Sequence, residues 1–153
     1  MGPVAPAPRF VVGYDGSPSS LAALREAARR AGSDGQLIIV HAYEPPSEAL
    51  GWPLYENAAQ DAAIGAKQFV DRLRGHPVLE GVQWTSEAVA GPPALAVDAA
   101  ARNHDADAIY IGSRGAGRAS ALLGSVAHDV LHRADRSVTV ITERAAERAT
   151  ATA

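Results

Sequence analysis

Two short stretches carry the residue types that could do chemistry. The first is Gly112-Ser113-Arg114-Gly115, followed by eight residues and then Gly124-Ser125. Gly112 and Gly115 can take φ > 0 and let backbone approach a ligand closely. Gly124 and Ser125 stand where a helix is expected to begin. The free N–H groups and the positive end of the helix dipole there suit a phosphate. The Ser125 hydroxyl adds a donor, and Arg114 and Arg118 supply cations beside a polyphosphate. The second stretch is Asp15-Gly16-Ser17, where a carboxylate could reach a ribose hydroxyl or a metal. The plainer alternatives are a loop that uses its glycines only to turn, and an Asx turn at Asp15 leading into a helix. A Walker A pattern, Gly-x4-Gly-Lys-Ser/Thr, is absent.

These stretches need a scaffold that presents them together. Apolar runs of strand length alternate with helical patterns. Strands are expected at 10–14, 37–42, 83–90, 108–111 and 138–142. Helices are expected from Pro18 to Ala31, Ala58 to Leu73, Ala94 to Asn103 and Ser125 to Ala134, and Ala145 to Ala153 reads as a loose tail or a frayed helix extension. Ser17 reads as an N-cap before Pro18, and Gly32 as a stop. Glu44 to Leu54 reads as a loop. The alternation predicts a single doubly wound, five-stranded parallel sheet with helices on both faces, an α/β, Rossmann-like architecture. The polar third strand is expected at one edge. In such sheets ligands bind beyond the carboxyl ends of the strands, where the strand order reverses. Both chemical stretches follow strands, so they can meet there.

The quoted segments carry a resemblance. Phe10 to Ser17, Leu37 to Ala42, and Ile111 to Gly115 with Leu122 to Val126 resemble the universal stress protein family, from about residue 9 to 142. The ATP-binding branch of that family has a Gly-x2-Gly-x9-Gly-Ser/Thr signature. Here the interval between Gly115 and Gly124 is eight, one residue shorter, with both ends of the loop kept. Ser137 stands where the family often has proline. The resemblance implies that Asp15 lies over the adenosine end and that Ala42 offers its backbone to adenine. It places Gly112 under the ribose, and Gly115, Gly124, Ser125 and Val126 on the phosphates. It implies ATP, with Mg2+, as cofactor, a regulatory rather than catalytic role with at most slow hydrolysis, and a homodimer through the last strand. The alternative is a family member that does not hold ATP and serves as a dimeric interaction module. AMP and cyclic AMP are alternative ligands.

Composition narrows the remaining classes. The chain has 153 residues, which suits one domain. The expected division is a flexible tail over 1–8, the domain over 9–143 and a second flexible tail over 144–153. There is no cysteine, which excludes disulfides and thiolate metal sites and fits a reducing compartment. A net charge of -3 with a single lysine, Lys67, argues against nucleic-acid binding. No apolar run is long enough to cross a membrane, so a cytoplasmic protein is expected. Aromatics are only 5% of residues, which predicts a core of alanine and branched aliphatics. A phospho-acceptor domain needs a lysine near the last strand, whereas Lys67 falls in the second helix. Nothing favours a flavin. His128 and His132 are one helical turn apart, a spacing that binds metal, but without a third ligand they read as a solvated face. His41, Trp52, Tyr55 and Trp84 read as packing or pocket-wall residues, with Trp52 and Tyr55 also placed to cover an adenine.

Overall fold

The computed structural model describes residues 2–3, 5–114 and 123–152. The strands are β1 (Arg9–Gly13), β2 (Gln36–Tyr43), β3 (Gln83–Ala90), β4 (Ala108–Gly112) and β5 (Ser137–Ile141). The main helices are α1 (Pro18–Ala31), α2 (Leu54–Asp71), α3 (Pro93–Asn103), α4 (Ser125–Arg133) and α5 (Glu143–Ala151). All strand pairs are parallel, in the order β3-β2-β1-β4-β5. The order reverses between β1 and β4, and β3 and β5 are the edges.

Side chains from successive strand residues point to opposite faces, so the apolar runs feed two cores. Phe10, Val12, Leu37, Ile39 and Tyr110 join Leu24 of α1 and Val70 of α2 on one face. Val11, Ile38, Val40, Ile109 and Ile111 join Val97 of α3 and Val130 of α4 on the other. The core is made of small and branched aliphatics, as the composition requires. Five buried alanines of α1, Ala22, Ala23, Ala27, Ala28 and Ala31, let its backbone lie close to the sheet. Trp84 on edge strand β3 is half-buried against the first core, with the Arg74 guanidinium 5.7 Å from its ring centre.

The helix signals at α1 act as read. Ser17 caps it, its side chain accepting from the Ser20 amide at 3.2 Å, and Gly32 ends it at φ 61°. Two expectations need correction. The segment after the fifth strand is a helix, α5, rather than a loose tail, its first turn capped by Thr142 Oγ1 accepting from the Ala145 amide. It packs against α1 rather than along β5. Helix α2 starts at Leu54, four residues before the expected Ala58, because Pro53 supplies the helix entry. The preceding loop contains one short 3-10 turn at Glu48–Leu50.

Candidate functional site

The loop after β1 is shaped by three neighbouring elements. Tyr14 continues the ladder, its amide donating to Val40 O at 2.9 Å. Asp15 Oδ1 then accepts from the Ser17 amide at 2.9 Å, an Asx turn. Gly16 sits at φ 81°, and a Cβ there would stand 2.9 Å from Phe69 of α2. Phe69 also stacks on His41, with ring centres 4.4 Å apart. His41 Nδ1 lies 2.9 Å from the Tyr14 carbonyl. Thus β2 and α2 support the turn from beneath, and His41 is a support rather than a base. Burial and the neighbouring Asp15 charge push the Tyr14 hydroxyl above its usual pKa.

The end of β4 is fixed as firmly. A Cβ on Gly112 would lie 2.4 Å from Ser19 Oγ and 2.7 Å from the backbone of Ser19 and Ser20. Gly112 is therefore glycine because α1 packs directly on it. The expected φ > 0 is not adopted, since Gly112 is a strand residue outside the left-handed region. Ser113 closes the base of the following loop. Its amide donates to Ile141 O at 2.8 Å, and its carbonyl accepts from the Gly124 amide at 2.7 Å. The Arg114 carbonyl accepts from Ser19 Oγ at 2.6 Å. Loop entry and exit are thus anchored to β5, α1 and each other. Gly115 and Arg118, both read from the sequence as phosphate-side residues, lie outside the described residues.

Helix α4 begins differently from α1. Its N-cap is Gly124, extended at φ -67° and ψ 159°, and no side chain caps the helix. The first helical bond runs from the His128 amide to Gly124 O at 3.0 Å. The amides of Ser125, Val126 and Ala127 come before it, so the helix itself leaves them unpaired. They stand at one wall of a cleft of about 780 Å³, open mouth included. The carboxyl ends of β1, β2 and β4 and the start of α3 form the rest.

Asp15, Ala42, Gly112, Arg114, Gly124, Ser125 and Val126 all line this one cleft. Seven positions from three separate stretches of sequence therefore converge at the strand-order reversal. Pro93 and Val97 of α3, with Tyr14 and Ser20, also line it and were not anticipated. The turn Gly91-Pro92-Pro93 leads into α3 and brings its start to the cleft. Trp52, at 76% exposure, and Tyr55 do not line it. His128 and His132 are exposed on α4, away from the lining.

The donor set suits an anion at one end and a flat apolar group at the other. Backbone amides and Arg114 gather near α4, while Ala42, Val40, Pro93 and Val97 supply apolar walls. Asp15 is the one carboxylate in the lining among the described residues, and no histidine or lysine joins it. Among the described residues no group of three or more His, Asp or Glu side chains could hold a metal.

Known proteins match this architecture. Among solved structures, a universal stress protein in complex with cAMP is 27% identical, with a TM-score of 0.62, covering 90% of this chain and 98% of that one. A universal stress protein from Archaeoglobus fulgidus in complex with dAMP is 25% identical, with a TM-score of 0.57, covering 88% and 97%. A curated Thermus aquaticus relative, "Universal stress protein in QAH/OAS sulfhydrylase 3'region", is 33% identical over 136 residues, covering 86% of this chain and 96% of its own. The model of the universal stress protein family matches residues 7–142. With sheet order, cleft and sequence in agreement, this chain belongs to the universal stress protein family.

Proposed function

We propose that the chain binds an adenine nucleotide, ATP with Mg2+, in the cleft between β1 and β4, and acts as a nucleotide-dependent regulatory module. The observation that carries this reading is the uncapped start of α4, whose first three amides border a cleft with an apolar far wall. Such a helix end attracts phosphate through its N–H groups and its dipole. The adenine part of the reading is supported by the relatives in complex with cAMP and dAMP. In the proposed pose the phosphates rest on Ser125, Val126 and Ala127, with Arg114 and the loop glycine Gly115 alongside. Asp15 and Gly112 flank the ribose, and Ala42 borders the base. Bound Mg2+ would offset phosphate charge. Among the described residues the one carboxylate of the lining, Asp15, accepts from the Ser17 amide and holds a turn, so the proposed output is a change of shape or partner, with at most slow turnover.

The measurement is thermal unfolding with increasing Mg-ATP, alongside mass spectrometry of nucleotide that copurifies. At 100-fold excess over Kd, linkage contributes about 2.7 kcal/mol, roughly a 5–11 °C rise in Tm for a chain of this size. A flat Tm across millimolar ATP, AMP and cyclic AMP would favour the reading without nucleotide. Cytoplasmic residence is part of the proposal. It is supported by the absence of cysteine and of any described helix long and apolar enough to cross a membrane.

A homodimer through β5 belongs to either reading. β5 is an edge with partly exposed Val138, Thr139, Val140 and Ile141, and α5 leaves it to lie on α1. An open β-branched edge invites pairing with a copy about a two-fold axis. Because Ile141 O accepts from the Ser113 amide, the Val140 amide one residue earlier points to the open edge. Val140→Pro should therefore remove an outward donor while sparing the β4–β5 ladder. Light scattering is expected to give a dimer for the parent and a folded monomer for the variant. A parent monomeric at micromolar concentration would end the idea, and a dimer indifferent to the proline would move the interface elsewhere.

A further inference from the structure

The solvated face of α4 carries an arrangement that the nucleotide reading does not use. His128 and His132 are both exposed and one turn apart, while Ala127 and Val130 turn the opposite face into the core. Their ring centres are 4.4 Å apart at an interplanar angle of 64°. Neither ring takes part in a hydrogen bond or ion pair among the described residues. An imidazole nitrogen binds a metal at about 2.0–2.1 Å, which puts its ring centre roughly 3.2 Å from the ion. Two imidazoles at right angles around one ion then have ring centres about 4.5 Å apart. The 4.4 Å between the two ring centres on α4 matches that spacing.

We propose that His128 and His132 form a two-imidazole chelate for a late first-row divalent cation, with Cu2+ preferred over Ni2+ and Zn2+. Imidazole suits these ions, and affinity for a nitrogen site peaks at Cu2+. No third protein ligand is present among the described residues, so water fills the other positions. Neither ring has a carboxylate or carbonyl behind it to fix its tautomer, a support that tight sites possess. The chelate is therefore an exchangeable surface site and not a structural one, which closes with four protein ligands. Both residues are exposed, so the fold does not depend on them. The inference is independent of the nucleotide reading, because neither residue lines the cleft.

The test is calorimetric titration of the full chain, freed of metal, with Cu2+ alone, together with electron paramagnetic resonance. One ion per chain is expected, with coupling to two imidazole nitrogens. His128→Gln and His132→Gln should each weaken binding by about 10–100-fold or more, since loss of even an outer partner costs that much at a metal site. His76→Gln, elsewhere on the surface, should keep the parental affinity. Circular dichroism confirms that each variant folds. If the parent takes up no ion at equimolar concentration, or the double variant binds as the parent does, the chelate is overturned.

Discussion

Gly112→Ala is expected to unfold at a markedly lower temperature and to lose its response to nucleotide. The added methyl would sit 2.4 Å from Ser19 Oγ, 2.7 Å from Ser19 C and 2.7 Å from Ser20 N. Two of these three atoms are backbone and cannot rotate aside. Helix α1 must lift from the end of β4, or β4 must bend away from α1. Overpacking of this kind costs about 1–3 kcal/mol. Lifting α1 also stretches the 2.6 Å bond from Ser19 Oγ to the Arg114 carbonyl, worth about 0.5–1.5 kcal/mol more. Together these come to about 1.5–4.5 kcal/mol, or roughly 3–18 °C in Tm. The site suffers with the fold, because Arg114 enters the loop from that anchored carbonyl. Denaturation curves of parent and variant, each with and without Mg-ATP, check both effects. A variant as stable as the parent would show that α1 does not seat on Gly112.

The same glycine shows what a sequence displays and what it hides. Glycine after a strand signals unusual backbone, and the local reading was freedom of φ. The actual requirement is contact with a helix more than ninety residues earlier in the chain, which no local pattern carries. The support beneath the Asp15 turn is hidden in the same way. Gly16, His41 and Phe69 come from a loop, a strand and a helix, and only the fold stacks them. By contrast, the five strands were legible within a residue or two. The central runs are apolar on both faces, as in Leu37 to Val40, the third is polar as an edge strand can be, and each is bounded by turn residues. The start of α1 was legible because Ser17 and Pro18 are local chemistry. Helix α5 was legible only as a loose tail or frayed extension, because its Ala, Thr, Glu and Arg residues show no apolar stripe. Its one signal was Thr142 as an N-cap. The convergence of Asp15 and Gly124 was legible through topology: once β1 and β4 are neighbours, the loops after them must share a cleft, whereas Ala42 on β2 was reached only through the family resemblance.

Gly124→Val is expected to leave the protein folded and remove its binding of nucleotide. Gly124 adopts φ -67° and ψ 159°, a conformation that valine favours, so the change adds no backbone strain. Its amide can still donate to Ser113 O, so the loop base stays closed. What changes is the space in front of α4. A branched side chain at the N-cap projects beside the amides of Ser125, Val126 and Ala127, where the proposed phosphates approach. Glycine there leaves the helix end bare, whereas serine at the N-cap of α1 spends its oxygen on the Ser20 amide. Gly124 is buried, so overpacking should lower the unliganded Tm by about 2–12 °C, while the roughly 5–11 °C rise expected with excess Mg-ATP disappears. Gly124→Ala, with one methyl, should fall between parent and valine variant, which separates crowding from unfolding. Ser125→Ala removes one hydroxyl donor and should weaken binding by about fivefold, or about 1 kcal/mol, and by more where the acceptor is charged. The order of effect should therefore be Gly124→Val, then Gly124→Ala, then Ser125→Ala. If all three variants bind ATP as the parent does, the phosphates do not rest on α4. If Ser125→Ala alone abolishes binding, the hydroxyl rather than the backbone amides dominates the contact.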